Sequence, residues 1–174
     1  MDQADALLRG YIEGVRDADA MLGALMDRFS ARQDPVVLVY VGDHLPYLGD
    51  NQLGYRELGS EVAVQEEDRE NTLCSYETPY VIWANGAAAE LLDWESAVEA
   101  LDLPEDGRLS ASFLGAAVVE LTGRKTAWSS LLNGLRREAP VVQKEVYLLG
   151  TVTGTPEKSL VDNILKWRQW SYYK

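Results

Sequence analysis

A chain of 174 residues with 47% apolar and 25% charged side chains has the material for one globular domain with a buried core. Its 16 basic and 28 acidic residues leave a net charge of −12, which argues against nucleic acid and anionic membrane surfaces as partners. A single cysteine excludes an internal disulfide, no stretch approaches the ~18 apolar residues of a membrane span, and MDQADALLRG at the amino terminus is no signal peptide.

Residues 2–33 read as a long amphipathic helix. Leu8, Tyr11, Ile12, Val15, Ala18, Leu22, Leu25, Met26 and Phe29 recur at spacings of three and four, an apolar stripe of the kind that faces a core. Gly10, Gly14 and Gly23 weaken that helix by about 1 kcal/mol each relative to alanine if they face solvent. A run of apolar residues follows Pro35, from Val36 to Val41. It is β-branched and aromatic and too short for a buried helix, so it predicts a central strand with neighbours on both sides and helices on both faces. The run stops at Gly42-Asp43-His44 and gives way to LPYLGDN, a Pro/Gly/Asp loop with aromatic content, and then to a short helical turn at residues 55–58. The acidic stretch EVAVQEEDRE, residues 61–70, predicts a solvated loop.

A second strand is expected at residues 79–84, entered through Thr78-Pro79 and left through the turn signal Asn85-Gly86. GAAAELLDW suits a short helix and LPEDGR a turn. Ser110 or Ser112 begins a helix through Leu121 that Gly123 stops, and Thr126 is placed to cap a further helix over residues 127–137, ahead of Pro140. VVQKEVYLLG predicts a last strand or extended segment. Pro156 opens a final helix carrying Leu160, Ile164, Trp167 and Trp170, whose rings are expected to pack that helix on the sheet. No repeat or linker interrupts the chain, which therefore reads as one domain, residues 1–174.

In open α/β sheets ligands bind just beyond the carboxyl ends of strands. There this sequence places a carboxylate and an imidazole side by side, Asp43 and His44, and these are donors that suit a divalent cation. The same pair also fits an aspartate capping a turn beside an ordinary loop histidine. His44 is the sole histidine of the chain, and Asp50, in the same loop, is close enough in sequence to support it.

VVLVYVGDHLPYLGDN, followed by LGYRELG, YETPYVIWAN and LSASFLGAAVVELTG and reaching WSYYK at the end, resembles the carboxyl-terminal part of the lipoteichoic-acid-synthase-like phosphoglycerol transferases, members of the sulfatase branch of the alkaline-phosphatase superfamily. The resemblance covers nearly the whole chain. It implies an α/β fold: a partial alkaline-phosphatase-like sheet flanked by helices and truncated at the amino-terminal side. It also implies that Asp43 and His44 bind the catalytic divalent metal (Mn, Mg or Zn), held weakly or not at all by this chain alone. In that family the nucleophile, further acidic ligands and another histidine lie upstream of the GDH motif. Here Asp43 has only about forty residues before it, and Cys74 sits in LCSYETP, without the C-x-P-x-R pattern that sulfatases modify. The expectation is a carboxyl-terminal portion of a catalytic domain with half a metal site and no nucleophile, inactive alone. Its partner would be the missing amino-terminal half or another copy of itself. The competing expectation is a noncatalytic protein that folds alone or complements a separately encoded half. Relatives of this kind are membrane-anchored with the catalytic domain outside the bacterial cell. This chain, with neither signal nor transmembrane segment, would stay cytoplasmic if expressed as it stands, with no membrane contact of its own.

Overall fold

The structure, a computed structural model, describes residues 3–60, 62, 73–143, 146–149 and 152–172. The chain divides into two compact units, Met1–Leu91 and Leu92–Lys174. Most of the acidic stretch 61–70 and the side chain of Trp170 lie outside the described residues.

In the first unit, helix α1 (Gln3–Ser30) forms where the apolar periodicity predicts it, with Asp5 in the first turn and Arg28 in the last, each favourable to the helix dipole. Strand β1 (Val37–Val41) follows, then a single 3-10 turn (Asp50–Gln52), α2 (Leu53–Glu57), strand β2 (Tyr80–Ala84) and α3 (Gly86–Leu92). β1 and β2 pair antiparallel, with Val37 opposite Ala84 and Val41 opposite Tyr80. The expected central strand is thus one half of a two-stranded antiparallel ribbon among the described residues. Val39 is 37% and Val41 45% exposed, so this strand is not covered on both faces. The stripe on α1 departs from expectation in the same way. Of its residues, Tyr11, Ile12 and Val15 are exposed, and the only residue buried on this helix is Ala4.

What ties the ribbon to α1 is one side chain. Asn85 is 1% exposed; its Oδ1 accepts from the backbone N–H groups of Val36 (3.0 Å) and Ala88 (3.0 Å). Its Nδ2 donates to the carbonyls of Phe29 (3.1 Å), Arg32 (3.3 Å) and Asp34 (2.9 Å). A buried amide with these partners satisfies orphan groups at the end of α1, the start of β1 and the start of α3 together.

The second unit contains α4 (Trp94–Ala100), α5 (Ala111–Leu121), α6 (Ala127–Glu138), a three-stranded antiparallel sheet of β3 (Val141–Gln143), β4 (Val146–Leu149) and β5 (Val152–Gly154), and α7 (Lys158–Tyr172). Ser110 precedes α5 and Gly123, at φ +69, ends it. Thr126 caps α6 in a reciprocal pair with Ser129, as its position before the apolar run suggests. The core comprises Phe113, Ala116, Leu132, Leu135, Ala139, Leu160 and Ile164. Trp167 stacks obliquely on Phe113, centroids 6.3 Å apart, so α7 packs on helices α5 and α6 rather than only on a sheet. Beside this core Arg136, 1% exposed, donates to the carbonyl of Leu101 (2.6 Å), to Asn133 Oδ1 (3.1 Å) and to Glu120 (3.1 Å). Desolvation, then the nearby charge of Arg137, lowers its pKa below the ordinary arginine value. Glu120 and the donor-rich cage keep the buried cation paired. No helix among the described residues is long and apolar enough to cross a membrane.

Candidate metal site

β1 delivers the chain to Gly42, where two contacts fix its exit. Gly42 N–H donates to the Pro79 carbonyl (2.9 Å), and the Thr78 hydroxyl donates to the Gly42 carbonyl (2.7 Å). A Cβ on Gly42 would stand 3.0 Å from the Thr78 Cβ, so the close approach of these two segments requires glycine. Asp43 and His44 therefore leave the end of a pinned ribbon.

Asp43 Oδ1 accepts from the His44 backbone N–H (2.9 Å), which turns the carboxylate back over its neighbour. His44 Nδ1 stands 2.8 Å from the Leu45 carbonyl oxygen. A carbonyl can only accept, so the neutral ring carries its proton on Nδ1 and presents the lone pair at Nε2. Nε2 lies 3.6 Å from Asp43 Oδ2, and the two side chains are 76% and 88% exposed. A cation about 2.1 Å from both atoms would see them at an angle near 120°, within reach of tetrahedral geometry after a small rotation. The donor types, the free nitrogen and the spacing all fit a divalent ion. Among the described residues, however, no group of three or more His, Cys, Asp and Glu gathers to hold a metal. Two donors are present where a hard cation takes four to six.

The loop after His44 is built as firmly as the strand before it. Leu48 is 3% exposed beneath the loop, and its carbonyl accepts from Gly54 N–H (2.8 Å). A Cβ on Gly54 would come within 2.7 Å of the Leu48 Cβ, which reserves that position for glycine. The Tyr55 hydroxyl donates to the Pro46 carbonyl (2.8 Å), and burial raises its pKa. Asp50 is engaged by the Tyr47 hydroxyl (2.5 Å) instead of by the imidazole. The support read for Asp50 at His44 comes from the Leu45 carbonyl, a backbone group that a side-chain reading of the sequence passes over. Thr78 is the other residue missed as a contributor. Its signal was the Thr78-Pro79 entry to β2, which was legible only as a strand boundary.

A sequence model of the family described as "Sulfatase" matches residues 2–123. The match spans well over half the chain, and the protein belongs to the sulfatase family. Among characterised relatives, a putative cyclic beta-1,2-glucan modification protein of Rhizobium meliloti (strain 1021) is 32% identical over 79 residues, which are 45% of this chain and 12% of that protein. The aligned segment is thus a small part of the relative's length. No solved structure matches the chain. Members of the sulfatase family are generally metal-dependent, in keeping with the donor chemistry of Asp43 and His44.

Proposed function

We propose that this chain supplies the Asp43–His44 half of the metal centre of a phosphoglycerol transferase or sulfatase-type ester enzyme, and that phosphoglycerol transfer is its reaction class. The observation that supports this reading is the pair of converging donors, Asp43 Oδ2 and His44 Nε2, 3.6 Å apart at the end of β1 within the family-matched segment. A divalent metal there would neutralise a phosphate or sulfate ester and lower the pKa of an attacking hydroxyl. Asp43 contributes charge, His44 a directional nitrogen, and the Leu45 carbonyl holds the imidazole tautomer that leaves Nε2 free. Preference for phosphoglycerol transfer rests on the likeness of GDHLPYLGDN to that branch, and the glucan-modifying relative supplies an acceptor class, a glucan hydroxyl. The remaining donors and the nucleophile come from outside the described residues, from an amino-terminal portion of the domain or a separately encoded half.

Calorimetric titration with manganese, magnesium and zinc tests the metal assignment: weak binding that disappears in Asp43→Ala supports it, and binding unaltered in Asp43→Ala and His44→Ala contradicts it. The chain alone is expected to turn over no phosphodiester, phosphomonoester or sulfate ester above a metal-matched blank. Hydrolysis abolished by His44→Ala would instead show a complete active site within these residues. The second reading, a noncatalytic protein that folds alone, is favoured by the closed core of the second unit. A monodisperse monomer that melts cooperatively would support it.

A further inference from the structure

The aromatic loop behind His44 has no part in metal binding as described, yet it is the most rigidly built segment of the first unit. Tyr47 is 70% exposed, the most exposed aromatic ring among the described residues, and still it is held in place. Its hydroxyl is bound to Asp50, and Leu48, the next residue, is anchored beneath the loop. Pinning an exposed ring brings little burial, since neither face is covered. It does prepare a flat apolar surface in advance, which reduces the ordering cost when something is laid on it.

The ring borders a cavity of about 230 Å³, lined also by Leu45, Pro46, Tyr55 and Gln52 and beginning one residue after His44. None of the residues that line it is charged, so nothing in its wall would neutralise a phosphate or sulfate. Its volume falls below the ~300–1,000 Å³ of pockets that take drug-sized ligands, which leaves room for a single ring. Two polar groups stand at the edge of the Tyr47 ring. Asp50 has one oxygen committed to the tyrosine and one remaining, and the Gln52 amide offers both donor and acceptor. A neutral ligand with an apolar C–H face and a rim of hydroxyls matches such a wall; an acyl chain would leave the polar rim unused.

We propose that this cavity is a subsite for one hexopyranose ring, with Tyr47 as the stacking platform and Asp50 and Gln52 as hydroxyl partners. The proposal rests on the metal reading above for its role: a sugar seated there is one residue from the donor pair and would present a hydroxyl as acceptor. Its binding, however, needs no metal. The pyranose can belong to a free oligosaccharide or to the head of a glycolipid, and the chemistry of recognition is shared.

Saturation-transfer difference NMR on the full chain in a chelator-containing buffer tests it, with a soluble glucose oligosaccharide and octyl glucoside as separate probes. The expected result is transfer to pyranose ring protons of the oligosaccharide, reduced about five- to tenfold in Tyr47→Ala. Tyr47→Phe should retain more of the signal, because the ring survives, and Tyr11→Ala on α1 should retain all of it. Circular dichroism verifies that each variant is folded. Ring-proton transfer from octyl glucoside alone would assign the site to a glycolipid head and keep the proposal. Transfer confined to its octyl chain, no transfer from either probe, or an undiminished signal in Tyr47→Ala would each overturn it. Because metal is absent throughout, the two readings fail separately. A chain that binds manganese but no sugar removes this subsite only, and one that binds sugar but no manganese removes only the metal assignment.

Discussion

The two halves of this chain bury their apolar residues very differently. Among the described residues, Leu92–Lys174 holds eleven buried hydrophobics, including Phe113, Leu132 and Ile164, whereas Met1–Leu91 holds four, Ala4, Leu48, Leu73 and Ala88. The first unit is no less apolar in sequence: its α1 stripe and its strand Val37–Val41 are made of residues that elsewhere fill cores. They are exposed because the described residues include nothing that covers them. The unit that carries the family's metal motif is thus the one with unsatisfied surface, and the unit without it has closed a core of its own. Separating site from core in this way is what a piece of a larger catalytic domain would show.

The assembly state is where this contrast should appear most strongly. Exposed Tyr11, Ile12, Val15 and Met21 on α1, together with the short ribbon's open edges, predict that the purified chain self-associates. Light scattering after size exclusion measures it, and the double variant Ile12→Glu, Val15→Glu is expected to shift the population towards monomer. A wild-type chain that is already monomeric would break the comparison. Point substitutions sharpen it at the next level. Leu132→Ala, at 0% exposure in the second unit's core, should cost about 3 kcal/mol of stability, whereas Ile12→Ala, 46% exposed, should stay within about 0.5 kcal/mol, both read by urea denaturation. Equal costs would mean that α1 is covered in solution.

Asn85→Ala is the exception that locates the first unit's cohesion. It leaves the N–H groups of Val36 and Ala88 and the carbonyls of Phe29, Arg32 and Asp34 without their partner, a loss expected to cost about 2–3 kcal/mol. Thermal melting with hydrogen exchange at β1 and β2 would register it. A smaller effect should appear at alkaline pH. The hydrogen bond to Asp50 raises the Tyr47 pKa and burial raises that of Tyr55, both above the ordinary 10.0. Groups whose folded pKa is raised stabilise fully below the unfolded value and lose that contribution as pH rises through the folded one. Stability is therefore expected to decline above pH 10, and tyrosinate absorbance should show two late-titrating residues, one of them absent in Tyr47→Phe. A Tyr47 that ionises at the ordinary value would remove the pinned loop from the account.

Local chemistry was legible in the sequence, and distant partnership was not. Thr126, Gly123 and Ser110 announced helix ends because a cap is decided by residues within one turn of it. Asn85 read only as a turn signal, since its amide partners on α1 and beyond lie 51 to 56 residues away. Arg136 gave no signal at all: an arginine in a helix's last turn ordinarily faces water, and only the folded arrangement brings Glu120 and the Leu101 carbonyl around it. The apolar run of β1 correctly marked a strand but overstated its surroundings. Such a run records surface that favours being covered, and Val39 and Val41 remain open on the two-stranded ribbon. At the candidate site the donor pair was legible because Asp43 and His44 are adjacent. Its orientation was not, because the Leu45 carbonyl and the Thr78 hydroxyl carry no recognisable pattern.

The single histidine provides the most direct measurement of the central claim. The ring protons of His44 give one isolated pair of NMR signals, and bound manganese broadens protons near it. Titrating the chain with manganese should broaden that pair well before the tyrosine signals of α1, with a dissociation constant on the order of 1 mM for so few ligands, and the effect should vanish in Asp43→Ala. Broadening of the His44 pair that persists unchanged in Asp43→Ala, or none at all at saturating manganese, would contradict a metal site built from these two residues.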